Sequence, residues 1–156
     1  MKFKNNDICG MKKHIAVVMG GTTSEHAISI KSGQVVIDSI PRDIFDVKPV
    51  IISTKKWTVK HMGNTLELDQ SDFSYTYDGK RYVFDAVFIA AHGAPGENGE
   101  LQKILDKANV PYTGCSAEVS ELTYNKHKTL EKLRPHNIAM AKNIIINATS
   151  DWNTQS

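Results

Sequence analysis

Apolar positions along this chain recur with two periods, and each change of period marks a change of element. His14-Ile15-Ala16-Val17-Val18-Met19 is a short, β-branched apolar run, which predicts a buried strand of the parallel type. Ile30, Gly33, Ile37 and Ile40 then fall at i, i+3, i+7 and i+10, one side of a helix that Pro41 stops. Gly33 in that row lets the helix lie close to the sheet. Val47–Ser53 predicts a second apolar strand. Tyr82–Ala91 predicts another, and Leu101, Ile104, Leu105 and Ala108 give the helix after it.

Between these stretches the pattern is different. Lys56-Trp57-Thr58-Val59, Thr65-Leu66-Glu67-Leu68 and Ser74-Tyr75-Thr76-Tyr77 are short and β-prone, with turn chemistry at Gly63-Asn64 and Asp78-Gly79. They predict an antiparallel hairpin excursion at a sheet edge. Downstream, Val110–Gly114 reads as a short strand or extended link. Ser116 is placed to cap a helix with Val119 and Leu122 inward. Asn125 starts a further helix with Leu130 and Leu133 on one face, and Pro135 ends it. Ala139–Ile146 is a last strand candidate.

The order β-α-β-(hairpins)-β-α-β predicts an α/β fold: a Rossmann-like parallel sheet with helices on both faces. Residues 1–12 form a polar leader and 13–123 one α/β domain. Residues 124–156 do not fit that layer, so a boundary is expected near Thr123.

Composition changes little in this picture. The chain has 156 residues, enough for a proper core, with 40% hydrophobic and 23% charged residues, as expected of a globular protein. A formal net charge of +2, with scattered lysines, argues against nucleic acid and against a membrane surface. No apolar run is long enough for a spanning helix, and MKFKNNDICG lacks the apolar core of a signal peptide. Cys9 and Cys115 form neither a CxxC nor a zinc spacing, which fits a reducing cytoplasm.

Two stretches carry chemistry. His92–Gly99, HGAPGENG, joins an apolar strand to a helix, and such loops lie at the carboxyl ends of strands, where α/β proteins bind ligands. Its glycines allow close backbone approach, and Asn98 is placed to cap the helix. Gly20–His26, GGTTSEH, is the turn after the first strand and offers backbone N–H groups to an anion. It is neither GxGxxG nor a P-loop. Glu25 either complements a helix dipole, with Thr23 or Ser24 as cap, or holds a cationic amine beside a cleft. His92 is either a hydrogen-bonded histidine at the core's edge or a ligand-binding group. Glu97 and Glu100 read as helix-start acids rather than a catalytic pair. His26, His61, His127 and His136 have no metal-ligand spacing, so no transition-metal site is expected. Lys126 and Lys128 read as surface lysines unless a phosphate lies nearby.

Taken together, four segments resemble the amino-terminal part of the D-alanine–D-alanine ligase family, which are ATP-grasp enzymes. They are IAVVMGGTTSEHAIS (15–29), VFIAAHGAPGENGELQ (87–102), PYTGCSA (111–117) and YNKHKT (124–129). The family signature runs His-Gly, two free positions, Gly-Glu, an acid or amide, Gly, one position, an apolar residue and often Gln. HGAPGENGELQ follows it. Lys103, Thr23, Ala27 and Asn125 depart from the family's usual residues, and none of them removes a functional side chain.

The resemblance implies a fold and a mechanism. The α/β domain would be the one that precedes an ATP-grasp domain, and residues 124–156 the beginning of that central domain. Such ligases are about twice as long as this chain. The lid over the phosphates, the carboxylates for magnesium or manganese, and the second amino-acid site would lie outside it, leaving no metal ligand here and no activity in the isolated chain. ATP phosphorylates the carboxylate of one D-alanine, and the amine of a second attacks that acyl phosphate. The product, D-alanyl-D-alanine, serves peptidoglycan synthesis and so cell-wall biogenesis and cell shape. By position, Glu25 holds the ammonium of the first D-alanine, His92 with Gly93 orients it, and Lys126 contacts ATP. A cytoplasmic homodimer is implied. Two other readings stand beside this one: a naturally short, non-enzymatic Rossmann-like module that dimerises or binds an anion, and a related ligase that takes D-lactate or D-serine second.

Overall fold

A computed structural model describes residues 12–144. Strand β1 (Lys13–Gly20) is fully buried from Ala16 onward. It lies between two parallel neighbours, β2 (Phe45–Ile52) and β7 (Ala86–Ile89), which is why it reads as an unbroken apolar run rather than an alternation. Its side chains divide between two cores. Val17 and Met19 pack with Ile37 and Val47 beneath helix α1 (His26–Ser39). Ala16 and Val18 pack with Leu101 and Leu105 of helix α2 (Glu100–Lys107) on the opposite face. Helices on both faces are therefore as expected.

Helix α1 seats through Ser29, Gly33 and Ile37. A β-carbon at Gly33 would stand 2.7 Å from Met19 Cβ, so glycine sets the helix-to-sheet distance. The residue before Pro41, Ile40, is already extended, and the helix ends there.

The sheet order is β4-β3-β2-β1-β7: a parallel core, β2-β1-β7, with the antiparallel hairpin expected at a sheet edge. Strands β3 (Trp57–His61) and β4 (Asn64–Glu67) run antiparallel and extend the sheet beyond β2, making it mixed. Met62 and Gly63 both take positive φ, 48° and 79°, the two-residue turn that sends a strand straight back. The turn therefore sits one residue earlier than Gly63-Asn64, and Asn64 pairs with His61. Strands β5 (Tyr75–Tyr77) and β6 (Lys80–Tyr82) form a separate two-stranded sheet around Asp78-Gly79. This shortens the strand expected over 82–91. The Tyr82 ring stacks on Tyr75 at 5.1 Å and belongs to that hairpin, so β7 begins only at Ala86.

After α2 the chain makes a single parallel bridge, Tyr112 to Val87, so Val110–Gly114 is an extended link. Helix α3 (Ala117–Tyr124) is capped by Ser116 Oγ, which accepts from the Val119 amide. Its buried residues are Ala117 and Ser120. Val119, expected inward, is 42% exposed, and Leu122 is half-buried. Close contact between Gly99 and the Ala117 backbone turns that face inward instead. Asn125 caps helix α4 (Lys126–Leu133), accepting from the Lys128 amide at 3.0 Å. No residue of α4 is buried, and Leu130 and Leu133 are half-buried. A 3-10 turn over Arg134–His136 contains Pro135. Residues 139–144 form no strand, and the rest of the candidate Ala139–Ile146 lies outside the described residues. So do Cys9 and nearly all of the polar leader. No helix among the described residues is long and apolar enough to cross a membrane.

Candidate functional site

Because β1, β2 and β7 run parallel, their carboxyl ends share one edge of the sheet, and both glycine-bearing loops leave from it. Gly21 donates its N–H to Ile52 O at 3.0 Å, holding the first loop to the end of β2. The Thr22 amide and hydroxyl both donate to Ala94 O, at 2.9 and 3.1 Å, and clip the first loop to the second. Gly93, at φ +71°, lies so close to Thr23 that no side chain fits between them.

Helix α1 fastens both loops from below. Ser29, with 0% exposure, accepts from the Gly20 amide and donates to Ala90 O, each at 2.8 Å. It thus bridges the last residue of β1 and the first residue after β7. One turn on, Ser32 Oγ meets His92 Nε2 at 3.2 Å. His92 is half-buried and Gly93 buried.

Glu25 is exposed and occupies the N-cap position of α1 itself, with no side-chain cap bond there. Neither Thr23 nor Ser24 caps the helix as expected. Thr23 Oγ1 instead accepts from the Glu25 amide at 3.3 Å, within the turn. Among the described residues, nothing bonds the Glu25 carboxylate. The cap of α2 also differs from expectation. Gly99, at φ +87°, holds the N-cap position, while Asn98 Oδ1 accepts from the Glu100 amide at 3.2 Å.

Inside the second loop, the Glu97 amide donates to Gly93 O and the Leu101 amide to Pro95 O. Gln102, 3% exposed, reaches back from α2 and donates Nε2–H to Gly96 O at 2.7 Å. Its Oε1 is buried without a partner among the described residues. Ser29, Ser32 and Thr22 were not singled out in the sequence as site residues. The available signal was a serine at two inward helical positions, 29 and 32, on a helix whose other inward residues are apolar.

The edge opens into a cleft of about 280 Å³, with Thr22, Pro95 and Glu100 on one side and Thr54, Lys55 and Lys56 on the other. Larger hollows lie elsewhere, among them one along the β4–β5 connection and one near His14 and Asp46, and neither of these two touches the loops. Lys126 is exposed at the start of α4, a helix that packs on α3 and the following 3-10 turn. The structure thus brings Glu25, His92 and Gly93 onto two joined loops and leaves Lys126 on a separate helical element.

Titration behaviour points to the other end of the sheet. There Tyr75 OH lies 2.8 Å from His61 Nδ1 and 3.3 Å from His14 Nε2. Burial, aided by Asp46 and Tyr82, pushes the Tyr75 hydroxyl well above its ordinary value. Burial first, then Lys48, pushes His61 below the usual imidazole range. Among the described residues no three His, Cys, Asp or Glu side chains come together to hold a metal ion. Cys115 is exposed with a free thiol.

A family model described as the D-ala D-ala ligase N-terminus matches residues 14–115, which contain both loops. The chain belongs to the D-alanine–D-alanine ligase family. A D-alanine–D-alanine ligase of Flavobacterium psychrophilum is 38% identical over 133 residues, covering 85% of this chain and 40% of the relative. Among solved structures, the D-alanine–D-alanine ligase of Aeromonas hydrophila has a TM-score of 0.76 and 28% identity, covering 90% of this chain and 53% of that one. A D-Ala:D-Ser ligase of Enterococcus faecalis has a TM-score of 0.73 and 25% identity, covering 85% and 44%. The chain therefore spans about half or less of the length of the D-alanine–D-alanine ligases and the D-Ala:D-Ser ligase it resembles.

Proposed function

We propose that this chain provides the first amino-acid site of an ATP-dependent ligase that joins two D-alanines into D-alanyl-D-alanine for peptidoglycan synthesis. The observation that carries this reading is the family match over residues 14–115 coinciding with two loops clipped together at one sheet edge. In that site the exposed Glu25 carboxylate accepts N–H bonds from the substrate ammonium, a charge-assisted contact. His92 orients the substrate carboxylate, and Gly93 keeps the backbone beside it clear. Lys126 neutralises phosphate charge of ATP from the domain that begins after Thr123, a boundary supported by the absence of buried residues in α4. Fixing both reactants in place lowers the barrier to attack by the second amine on the activated carboxylate. Magnesium or manganese, which would neutralise phosphate charge, would be held by residues other than those described.

The same reading places the protein in the cytoplasm as a homodimer. Exposed Ile28 (53%) and Val35 (66%), seven residues apart on α1, support a self-associating face. The second substrate is D-alanine, as for the D-alanine–D-alanine ligase of Flavobacterium psychrophilum; D-serine is the alternative that the Enterococcus faecalis relative favours.

The test is a chimera in which residues 13–123 replace the matching domain of the Flavobacterium psychrophilum relative. D-alanine-dependent release of phosphate from ATP is expected, with a loss of roughly 100-fold for Glu25→Gln, as for one charge-assisted hydrogen bond. The 156-residue chain alone is expected to release none. A folded chimera without D-alanine-dependent turnover would overturn the reading in favour of a non-enzymatic module.

A further inference from the structure

The bond between Ser32 Oγ and His92 Nε2 joins two half-buried side chains 60 positions apart. A hydroxyl can donate or accept, and a neutral imidazole nitrogen can do either, so the direction must be found from the surroundings. Three helical hydroxyls elsewhere in the chain turn back onto the carbonyl four residues earlier: Ser39 onto Val35, Thr123 onto Val119, Thr129 onto Asn125. Ser32 makes no such bond; among the described residues its partner is His92. Donation from Ser32 O–H to Nε2 is the arrangement that gives the hydroxyl hydrogen an acceptor and the ring nitrogen a donor. In the reverse arrangement the hydroxyl hydrogen has no acceptor among the described residues.

We infer that Ser32 is a positioning residue for His92. Its hydroxyl donates to Nε2, which places the proton of the neutral ring on Nδ1. In that tautomer His92 offers a substrate carboxylate a fixed Nδ1–H donor. Three features brace this geometry. Ser29 ties the same helix face to Ala90, two residues before His92. The Thr22 clip holds Ala94, two residues after it. The tight contact of Gly93 with Thr23 holds the residue between. Only the identity of the carboxylate rests on the ligase reading; the position of the proton does not.

The experiment is two-bond 1H–15N correlation NMR of the imidazoles in the 15N-labelled chain at about pH 8, above the ordinary histidine value of about 6.5. His92 is expected to give the Nδ1–H pattern. S32A is expected to lose it for the Nε2–H pattern that free imidazole prefers, and S32T to restore it, with the other five of the six histidines unchanged. An Nε2–H pattern in the unaltered chain overturns the inference, as does a His92 pattern that S32A leaves alone. Should S32A not fold, the unaltered chain and S32T decide the matter. No substrate is present, so failure of the ligase reading would leave this result standing.

Discussion

A β-carbon added to Gly93 would stand 2.7 Å from both Cγ2 and Oγ1 of Thr23. Gly93 also sits at φ +71°, where an L side chain costs about 1–2 kcal/mol. Gly93→Ala is therefore expected to destabilise the chain by about 2–4 kcal/mol once overpacking is added. Thr23→Ala in the same chain should recover the steric part and not the backbone part. Urea unfolding of the two single variants and the double variant measures the coupling; additive effects would show that the loops do not press on each other.

Ser29 serves two buried partners with one hydroxyl, so Ser29→Ala leaves the Gly20 amide and the Ala90 carbonyl unpaired together. A loss of about 1–3 kcal/mol is expected for each group that water cannot reach. Ser29→Thr, which keeps the hydroxyl, should lose less. Amide hydrogen exchange at Gly20 reads the same event locally, and unchanged protection there in Ser29→Ala would count against it.

Gln102→Leu removes the donor to Gly96 O and also a buried oxygen that has no partner among the described residues. The two effects oppose each other. Net stability should change by no more than about 1 kcal/mol, because the lost bond is offset by relief of an unpaired group. The loop should nonetheless loosen. Faster exchange of the Glu97 and Leu101 amides, whose acceptors are Gly93 and Pro95, is the expected readout.

His61 gives the chain a pH dependence with a definite sign. Its folded-state value lies below the unfolded value of about 6.5, so on acidification the unfolded chain takes the proton first. Stability is full above pH about 6.5 and declines as pH falls below it. Asp46, Asp72 and Asp85 are also lowered, but as carboxylates they act further down, with their contribution lost as pH falls below about 4. His61→Gln should flatten the unfolding midpoint between pH 7 and 5 while leaving the steeper acid limb. An unchanged slope in that window would remove His61 as its source.

Where local pattern and tertiary packing agree, the fold can be read from the residues. The apolar run of β1 demanded burial on both faces and received it. Gly33 in the apolar row of α1 foretold a close helix approach, and it meets Met19. The HGAPGENG loop was legible because its glycines and its place after an apolar run specify both backbone and position. Other features depend on contacts that no short window contains. The inward turn of α3 is set by Gly99 meeting Ala117, so a cap-and-period reading put Val119 on the wrong side. Tyr82 left its strand for a stack with Tyr75, because aromatic packing outweighed the continuity of the apolar run. Ser29 and Ser32 looked unremarkable because their partners, Ala90 and His92, are about 60 residues away in the chain.

The double bond from Thr22 to Ala94 O bears on how the cleft behaves as a mechanical object. One bank is braced: two loops from adjacent strands, cross-tied at Thr22 and pinned to α1 at Ser29, shift together or not at all. The facing bank at Ser53–Lys56 is a single turn, closed on itself by the Ser53 amide and hydroxyl with Lys56 O. Of the two banks, the turn carrying Lys55 and Lys56 is tied by fewer bonds, whereas the Thr22 and Pro95 side is held both to the second loop and to α1.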